Sequence, residues 1–312
     1  MASLAIKSRN VALLQLAFLS ATWLAGIYVN GFVPILPGTL VEVSLLNPAV
    51  ESHVVLATLS AATSALMIGV AWASGQRRLV AVTLLASLSI VVAGDSGLAF
   101  VLGGGSDSAQ SMIMASAFAT ALFLTFLSMS SLGKGNGSSA RGAWKGPRVI
   151  SRAATVACYL ALVLFYAVFV TGIYVNLFVA GPVFSLPLNS EPAAFARAES
   201  SAPFIIHEVL GAALLGTLVL LAVSLWVGGA RRLSMTAAAP TILVTYSAYV
   251  GSLNLTSPLA LGVSVLAPMV SSTGLMAAII ITMLLALEVR AGGRRTDLRD
   301  GPLTPSGGPA QS

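Results

Sequence analysis

The sequence predicts an all-α integral membrane protein, with eight transmembrane helices forming two parallel four-helix repeats and with the N and C termini both cytoplasmic. Three observations carry that expectation. Of 312 residues, 57% are hydrophobic and only 8% are charged, and the mean hydropathy is +0.93, whereas soluble domains carry about 25% charged residues. The apolar material is gathered into eight runs, each long enough for the about 20 residues that a spanning helix needs. A pentapeptide near the end of the first run returns letter for letter near the end of the fifth.

The first run, 10 to 36, follows Lys7 and Arg9 and is too long for a cleaved signal peptide. The second, 51 to 73, ends before Arg77 and Arg78, and the third, 79 to 103, ends in the turn Gly103-Gly104-Gly105. The fourth, 109 to 130, leads into a basic loop from Ser131 to Ser151. The fifth, 153 to 180, and sixth, 203 to 227, precede Arg231 and Arg232; the seventh, 233 to 255, and eighth, 260 to 289, lead to Arg290, Arg294, Arg295 and Arg299. Such continuous runs exclude a transmembrane barrel, whose strands alternate over ~10 residues. The expected organisation is a first repeat over 1–130, a basic cytoplasmic linker over 131–152, a second repeat over 153–291 and a disordered, Gly/Pro/Arg-rich cytoplasmic tail over 292–312.

Fifteen of the sixteen Lys and Arg residues fall on one side of this layout, leaving Arg197 alone on the other. The positive-inside rule makes the basic side cytoplasmic, and the expected location is the cell (plasma) membrane, as a multi-pass protein. The net charge of +6 then marks a membrane face, with lipid and not nucleic acid as the partner. The single cysteine, Cys158, lies inside an apolar run, so there is neither a disulfide framework nor a cysteine metal site. No phosphate-binding glycine loop, catalytic serine set or zinc-protease motif is present; Asn254-Leu255-Thr256 is a glycosylation-type sequon in the loop before the eighth helix.

The repeated motif is Gly26-Ile27-Tyr28-Val29-Asn30 and Gly172-Ile173-Tyr174-Val175-Asn176. The two histidines extend the match: His53 lies 24 residues before Arg77, and His207 lies 24 residues before Arg231. At 1.5 Å per residue that is about 36 Å, near the outer end of each span. Four spans per half is an even number, so the repeats are parallel, related by an axis along the membrane normal. Imidazole is an axial ligand of haem iron, and bundle interiors hold such cofactors; a histidine at the headgroup level is the bland alternative. One turn beyond each histidine the residue is small, Ala57 and Gly211. Met112 and Met269 align at the outer start of the fourth helix of each half, followed at i+4 by Ser116 and Thr273, and methionine is a second axial ligand for haem. A site using His53 and His207 on one iron is a competing geometry. Arg197, the sole outer cation, is positioned for a haem propionate; Glu51, Asp95 and Glu208 lie at outer helix ends or inside a span.

Eight spans in two four-helix repeats, with a histidine at the outer end of helix two of each half, resemble the haem A synthase family over residues 10 to 289. Carried over by position, His53 and His207 match the ligands on helix two, while Met112 and Met269 stand in the places of the histidines on helix four. Gly26 to Asn30 and Gly172 to Asn176 fall where the family has a glycine followed by a hydroxyl residue or valine and then a basic residue. The family carries Glu-x-x-His-Arg where this chain reads Glu51-Ser52-His53-Val54; Asn30 and Asn176 replace the basic residue, and the loop cysteines of many members are missing. In size and hydrophobic layout the chain is also similar to the hydrophobic B subunit of an archaeal b-type cytochrome.

The resemblance implies a membrane-embedded b-type haem protein holding one or two haem b groups. It would transfer electrons between a quinol or outer redox partner and other respiratory subunits. One alternative is a haem A synthase oxidising a methyl group of haem O, with Glu51 as the catalytic carboxylate. The other is a haem-free scaffold or transport subunit, for which polar residues deep within the spans are expected; by sequence the spans look nearly bare of them.

Overall fold

The computed structural model describes residues 2–33, 47–103, 107–132, 148–180, 197–256 and 263–299. It contains eight long helices: α1 (Ala2–Phe32), α2 (Pro48–Ala73), α3 (Arg77–Leu102), α4 (Ser108–Leu132), α5 (Arg148–Tyr174), α6 (Ala202–Val227), α7 (Arg231–Thr256) and α8 (Val263–Arg299). All eight include a segment long and apolar enough to cross a membrane. Their outward side chains, such as Leu88, Val91 and Leu220, are large and exposed, which suits a protein whose helices are solvated by lipid rather than water.

Local chemistry sets the boundaries. Pro48 opens α2 behind an Asn47 cap whose side chain accepts from the Ala49 N–H at 2.9 Å, and Pro203 sits in the first turn of α6; proline costs nothing at a position whose N–H has no helical partner. The α2–α3 and α6–α7 connections both turn on a left-handed glycine, Gly75 (φ 67°) and Gly229 (φ 76°), a conformation that strains any residue with a Cβ. Each of these glycines donates its N–H to a tryptophan carbonyl, Trp72 and Trp226, at 3.0 Å. Trp72, Gly75, Arg77 and Arg78 recur 154 residues later as Trp226, Gly229, Arg231 and Arg232, the same interval that separates His53 from His207.

Several boundaries differ from expectation: α1 runs Ala2–Phe32 against an expected span of 10 to 36, and α5 gives way at Val175 to a π-helical turn that ends at Ala180. Helix α8 runs on to Arg299, past Gly292 where the tail was expected to begin, because arginine and leucine favour a helix strongly enough to carry Gly292 and Gly293. The sequon Asn254-Leu255-Thr256 forms the last turn of α7 rather than a loop. Helix α5 starts at Arg148, inside the expected linker. Most of the linker, Gly104, Gly105 and the residues after Arg299 lie outside the described residues.

In the first half, α1 packs on α2, α2 on α3, α3 on α4, and α4 closes back on α1. In the second half α5, α6, α7 and α8 pack in the same order and close in the same way. The halves join through α4 against α5 and α1 against α8, so α1, α4, α5 and α8 form a central ring with α2, α3, α6 and α7 outside it. Trp23 of α1 lies 4.8 Å, centroid to centroid, from Phe169 of α5 and 5.3 Å from Phe118 of α4. Trp23 and Phe169 are 146 residues apart, the interval between Gly26 and Gly172. At the other end of the ring, Arg290 of α8 donates to the Ser130 carbonyl of α4 at 3.0 Å and to the Tyr159 hydroxyl of α5 at 3.3 Å. The sequence reading used Arg290 only as a marker of sidedness; here it ties three helices, a role visible only once those helices converge.

Candidate functional site

Both histidines lie on the inward stripe of their helix. On α2 the stripe reads His53, Ala57, Ser60, Ser64, Met67 and Ala71, and on α6 it reads His207, Gly211, Leu214, Leu218, Leu221 and Leu225. The alternating steps of three and four residues keep each set on one face of an α-helix. Each histidine sits near the start of its helix, half-buried, against the glycine that opens the repeated pentapeptide.

The contacts match in detail. The Nδ1 of His53 is 3.0 Å from the backbone carbonyl of Thr22 on α1. A Cβ placed on Gly26, one turn further along α1, would stand 3.0 Å from the ring Cε1. In the second half the Nδ1 of His207 is 3.0 Å from the Thr171 hydroxyl on α5, and the carbonyl of Val168, the counterpart of Thr22, also faces the ring. A Cβ on Gly172 would stand 2.9 Å from its Cε1. Neither glycine tolerates a side chain without moving the imidazole.

These bonds fix the tautomer. A carbonyl only accepts, so the Nδ1 of His53 carries the hydrogen, and in a neutral ring Nε2 then holds the lone pair. Thr171 donates its own hydrogen to the Ala167 carbonyl at 2.7 Å, so it accepts from the Nδ1 of His207 and leaves that Nε2 in the same state. Metal-bound histidines in proteins show this arrangement, with the second ring nitrogen donating to a carbonyl or another oxygen. Beyond His207, a Cβ on Gly211 would meet nothing within 4 Å, so there is open space one turn along.

The other candidates are less convergent. Met112 is half-buried at the head of the inward stripe of α4, which continues through Ala115, Ala119, Leu122 and Phe126; α4 packs on α1, α3 and α5. The side chain of Met269 lies outside the described residues, as does that of Asn30. Glu51 is exposed in the first turn of α2, two residues and so about 200° around the helix from His53. Glu208, Asp95 and Arg197 are exposed as well, and the Arg197 carbonyl accepts from the Ser200 hydroxyl at 3.1 Å.

The sequence reading missed the partners of the histidines and the polarity beneath one of them. Gly26 and Gly172 entered it only as repeat markers, although a glycine opening the pentapeptide on the helix before each histidine-bearing helix was a usable signal. The spans are also not bare of polar groups. Gln15, Thr22, Ser60, Thr63, Ser64 and Thr83 are all buried in the first half. Thr22 and Ser60 bond hydroxyl to hydroxyl at 3.1 Å, and Ser64 bonds Ser87. Averaged hydropathy hides serine and threonine among leucines. No protein-family model matches the chain, and no curated protein matches it.

Proposed function

We propose that this protein is a membrane-embedded b-type haem protein with one histidine-held haem in each half, transferring electrons at the histidine face of a plasma membrane. The observation that carries this reading is the paired seat. Two histidines, the only two in the chain, are each fixed through Nδ1 on the preceding helix, with the ring on a glycine and Nε2 uncommitted. The halves are parallel repeats about an axis running past Trp23 and Phe169, with both termini on the cytoplasmic arginine side, on a scaffold like that of the haem A synthases.

The donor set fits a haem. Among the described residues no three His, Cys, Asp or Glu side chains converge, so a metal held here takes most of its ligands from a prosthetic group, and a porphyrin provides four. His53 and His207 would hold the irons through Nε2, and Thr22 and Thr171 keep those nitrogens unprotonated. Because α2 packs on α1 and α6 on α5, on separate flanks of the central ring, two sites suit the layout better than one iron shared by both histidines. Met112 and Met269 are the candidates for second ligands, and Arg197 for a propionate partner. When bound, haem iron supplies reversible one-electron transfer. Respiratory subunits or a quinone at the histidine face would be the electron partners. Exposure of Glu51 on the far side of α2 weighs against methyl oxidation by a synthase mechanism.

A reduced-minus-oxidised spectrum of detergent-purified protein, with extracted haem quantified against protein, tests the reading. Wild type should carry two haems per chain, and His53→Ala and His207→Ala should each lose one. A flat spectrum after haem-replete expression, or full haem content in both variants, overturns it and leaves a haem-free scaffold.

A further inference from the structure

The inward stripes beneath the two histidines are built from different chemistry. Below His207 the stripe is Leu214, Leu218, Leu221 and Leu225, each 0% exposed. Below His53 the same positions are Ser60, Ser64, Met67 and Ala71. The neighbouring helices follow suit. Thr22 and Gln15 on α1 have Val168 and Ala161 as counterparts on α5, and Thr83 on α3 has Ala237 on α7.

The first-half groups form a column along the bundle. At its upper end the Thr22 carbonyl holds His53, and the Thr22 hydroxyl meets Ser60. One turn lower Ser64 meets Ser87, which in turn donates to the Thr83 carbonyl at 2.8 Å. Gln15 lies two turns from Thr22 on the same face of α1, and the antiparallel register set by the Gly26–His53 and Thr22–Ser60 contacts puts it at the level of Ser64 and Met67. At the lower end Gln15 and Thr83 are each six residues from Arg9 and Arg77, about 9 Å of helical rise.

Two features separate this column from ordinary polar glue between helices. The Gln15 side chain is 2% exposed, yet its Nε2 has no hydrogen-bond partner. A buried amide without a partner is costly, and a water bonded to it removes the cost. The hydroxyls also have more acceptors than hydrogens. Thr22 points to the Phe18 carbonyl at 2.8 Å and Ser60 to the Leu56 carbonyl at 2.9 Å while the two hydroxyls face each other, so one must release its carbonyl to make the cross-helix bond. Such hydroxyls have two orientations of similar quality, which is what passing a proton from one oxygen to the next requires. Successive turns are about 5.4 Å apart, about twice a hydrogen-bond length, so the steps between them need intervening water.

We propose that the first half encloses a hydrated polar column that conducts protons between the arginine end and the His53 seat, and that the leucine-filled second half does not. Each oxygen accepts a proton from one neighbour and passes its own to the next, which leaves the O–H groups of the column pointing the other way; rotation of the hydroxyls and waters to their first orientation resets it, and no co-reactant is consumed. The proposal does not depend on what occupies Nε2 of His53.

Two measurements on the full-length protein test it. In hydroxyl-radical footprinting with a short X-ray pulse, radicals born from bound water oxidise a neighbouring methionine to its sulfoxide. Met67 in the column and Met276 in the second half are 1% and 2% exposed, so bulk access is matched. Met67 should be oxidised several-fold faster, and Gln15→Leu with Ser64→Ala should bring it down to the Met276 rate. The same two proteins, reconstituted in phosphatidylcholine and phosphatidylglycerol vesicles containing a pH-sensitive dye, are then driven by a potassium diffusion potential. Wild type should carry a proton flux several-fold above protein-free vesicles, and the double variant should not. Gln15→Met, which keeps the side chain's length and removes only its amide, guards against a folding defect and should show the same losses. A Met67 rate equal to that of Met276 overturns the water column. A fast Met67 with a flux equal to protein-free vesicles overturns proton conduction.

Discussion

The two halves of this protein share a skeleton and a histidine seat but differ in what fills the space below it. In both, helix two stands on helix one through a glycine, and a left-handed glycine turns the chain from helix two to helix three. Below the histidines the second half closes with four fully buried leucines, whereas the first half keeps serines, threonines and a glutamine. Dispersion between close-packed apolar side chains holds the stripe of one half; in the other, hydroxyl bonds between helices, each worth about 1 kcal/mol or less in a membrane, add to the packing of residues such as Leu19 and Leu79. The difference teaches that the seat and the filling are separable: the contacts that orient histidine survive in both, while the interior below is free to take another task.

Substitutions at matched positions should break the comparison most sharply. Leu218→Ala should open a cavity and destabilise the second half by about 2–5 kcal/mol, while its first-half counterpart Ser64, replaced by alanine, should cost far less. Forced unfolding of single molecules in bicelles resolves the halves and reads both; equal costs would mean the interiors are packed alike. Next in size, Gly26→Ala and Gly172→Ala drive a Cβ into the imidazole ring, and overpacking of this kind costs about 1–3 kcal/mol. Each should also displace Nε2 of its histidine and, on the haem reading proposed above, lower haem content in its own half only. Gly211→Ala, with nothing within 4 Å of the new Cβ, is the control and should leave both stability and spectrum intact.

Smaller effects sharpen the picture of the seam. Arg290→Met removes two bonds from a half-buried guanidinium that joins α8 to α4 and α5. Allowing for screening, the loss should be about 1–2 kcal/mol, and it should appear as the halves separating at lower force rather than as either half unfolding. Ser60→Ala should cost about 1 kcal/mol or less, because Thr22 keeps its bond to the Phe18 carbonyl; a much larger loss would mean that the hydroxyl pair, not the glycine seat, sets the α1–α2 register.

Much of the fold was legible because the signals were local. Arginine pairs mark helix ends through the chemistry of single residues, and Arg77 and Arg231 do so here, whereas Pro48, which opens α2 three residues before the expected start, was a local signal left unused. The histidines stood out because there are only two. What could not be read was anything that depends on two helices meeting. That Gly26 faces His53, that Thr22 supplies the carbonyl, and that Arg290 reaches Ser130 follow from register between segments far apart in sequence. The buried polar column was missed for a different reason. Serine and threonine satisfy themselves on their own helix in lipid, so their presence in a span carries no sign of which face they occupy until the three-four spacing from His53 is followed down α2.

Cys158 is the only cysteine and is 0% exposed, on α5 at the position that corresponds to the equally buried Ala12 of α1. A thiol packed in the central core is out of reach of a maleimide while the helices stay together. The native chain therefore carries its own clock for opening of the core around α5: the rate at which a membrane-permeant thiol reagent labels it counts how often that core comes apart, with no engineered probe.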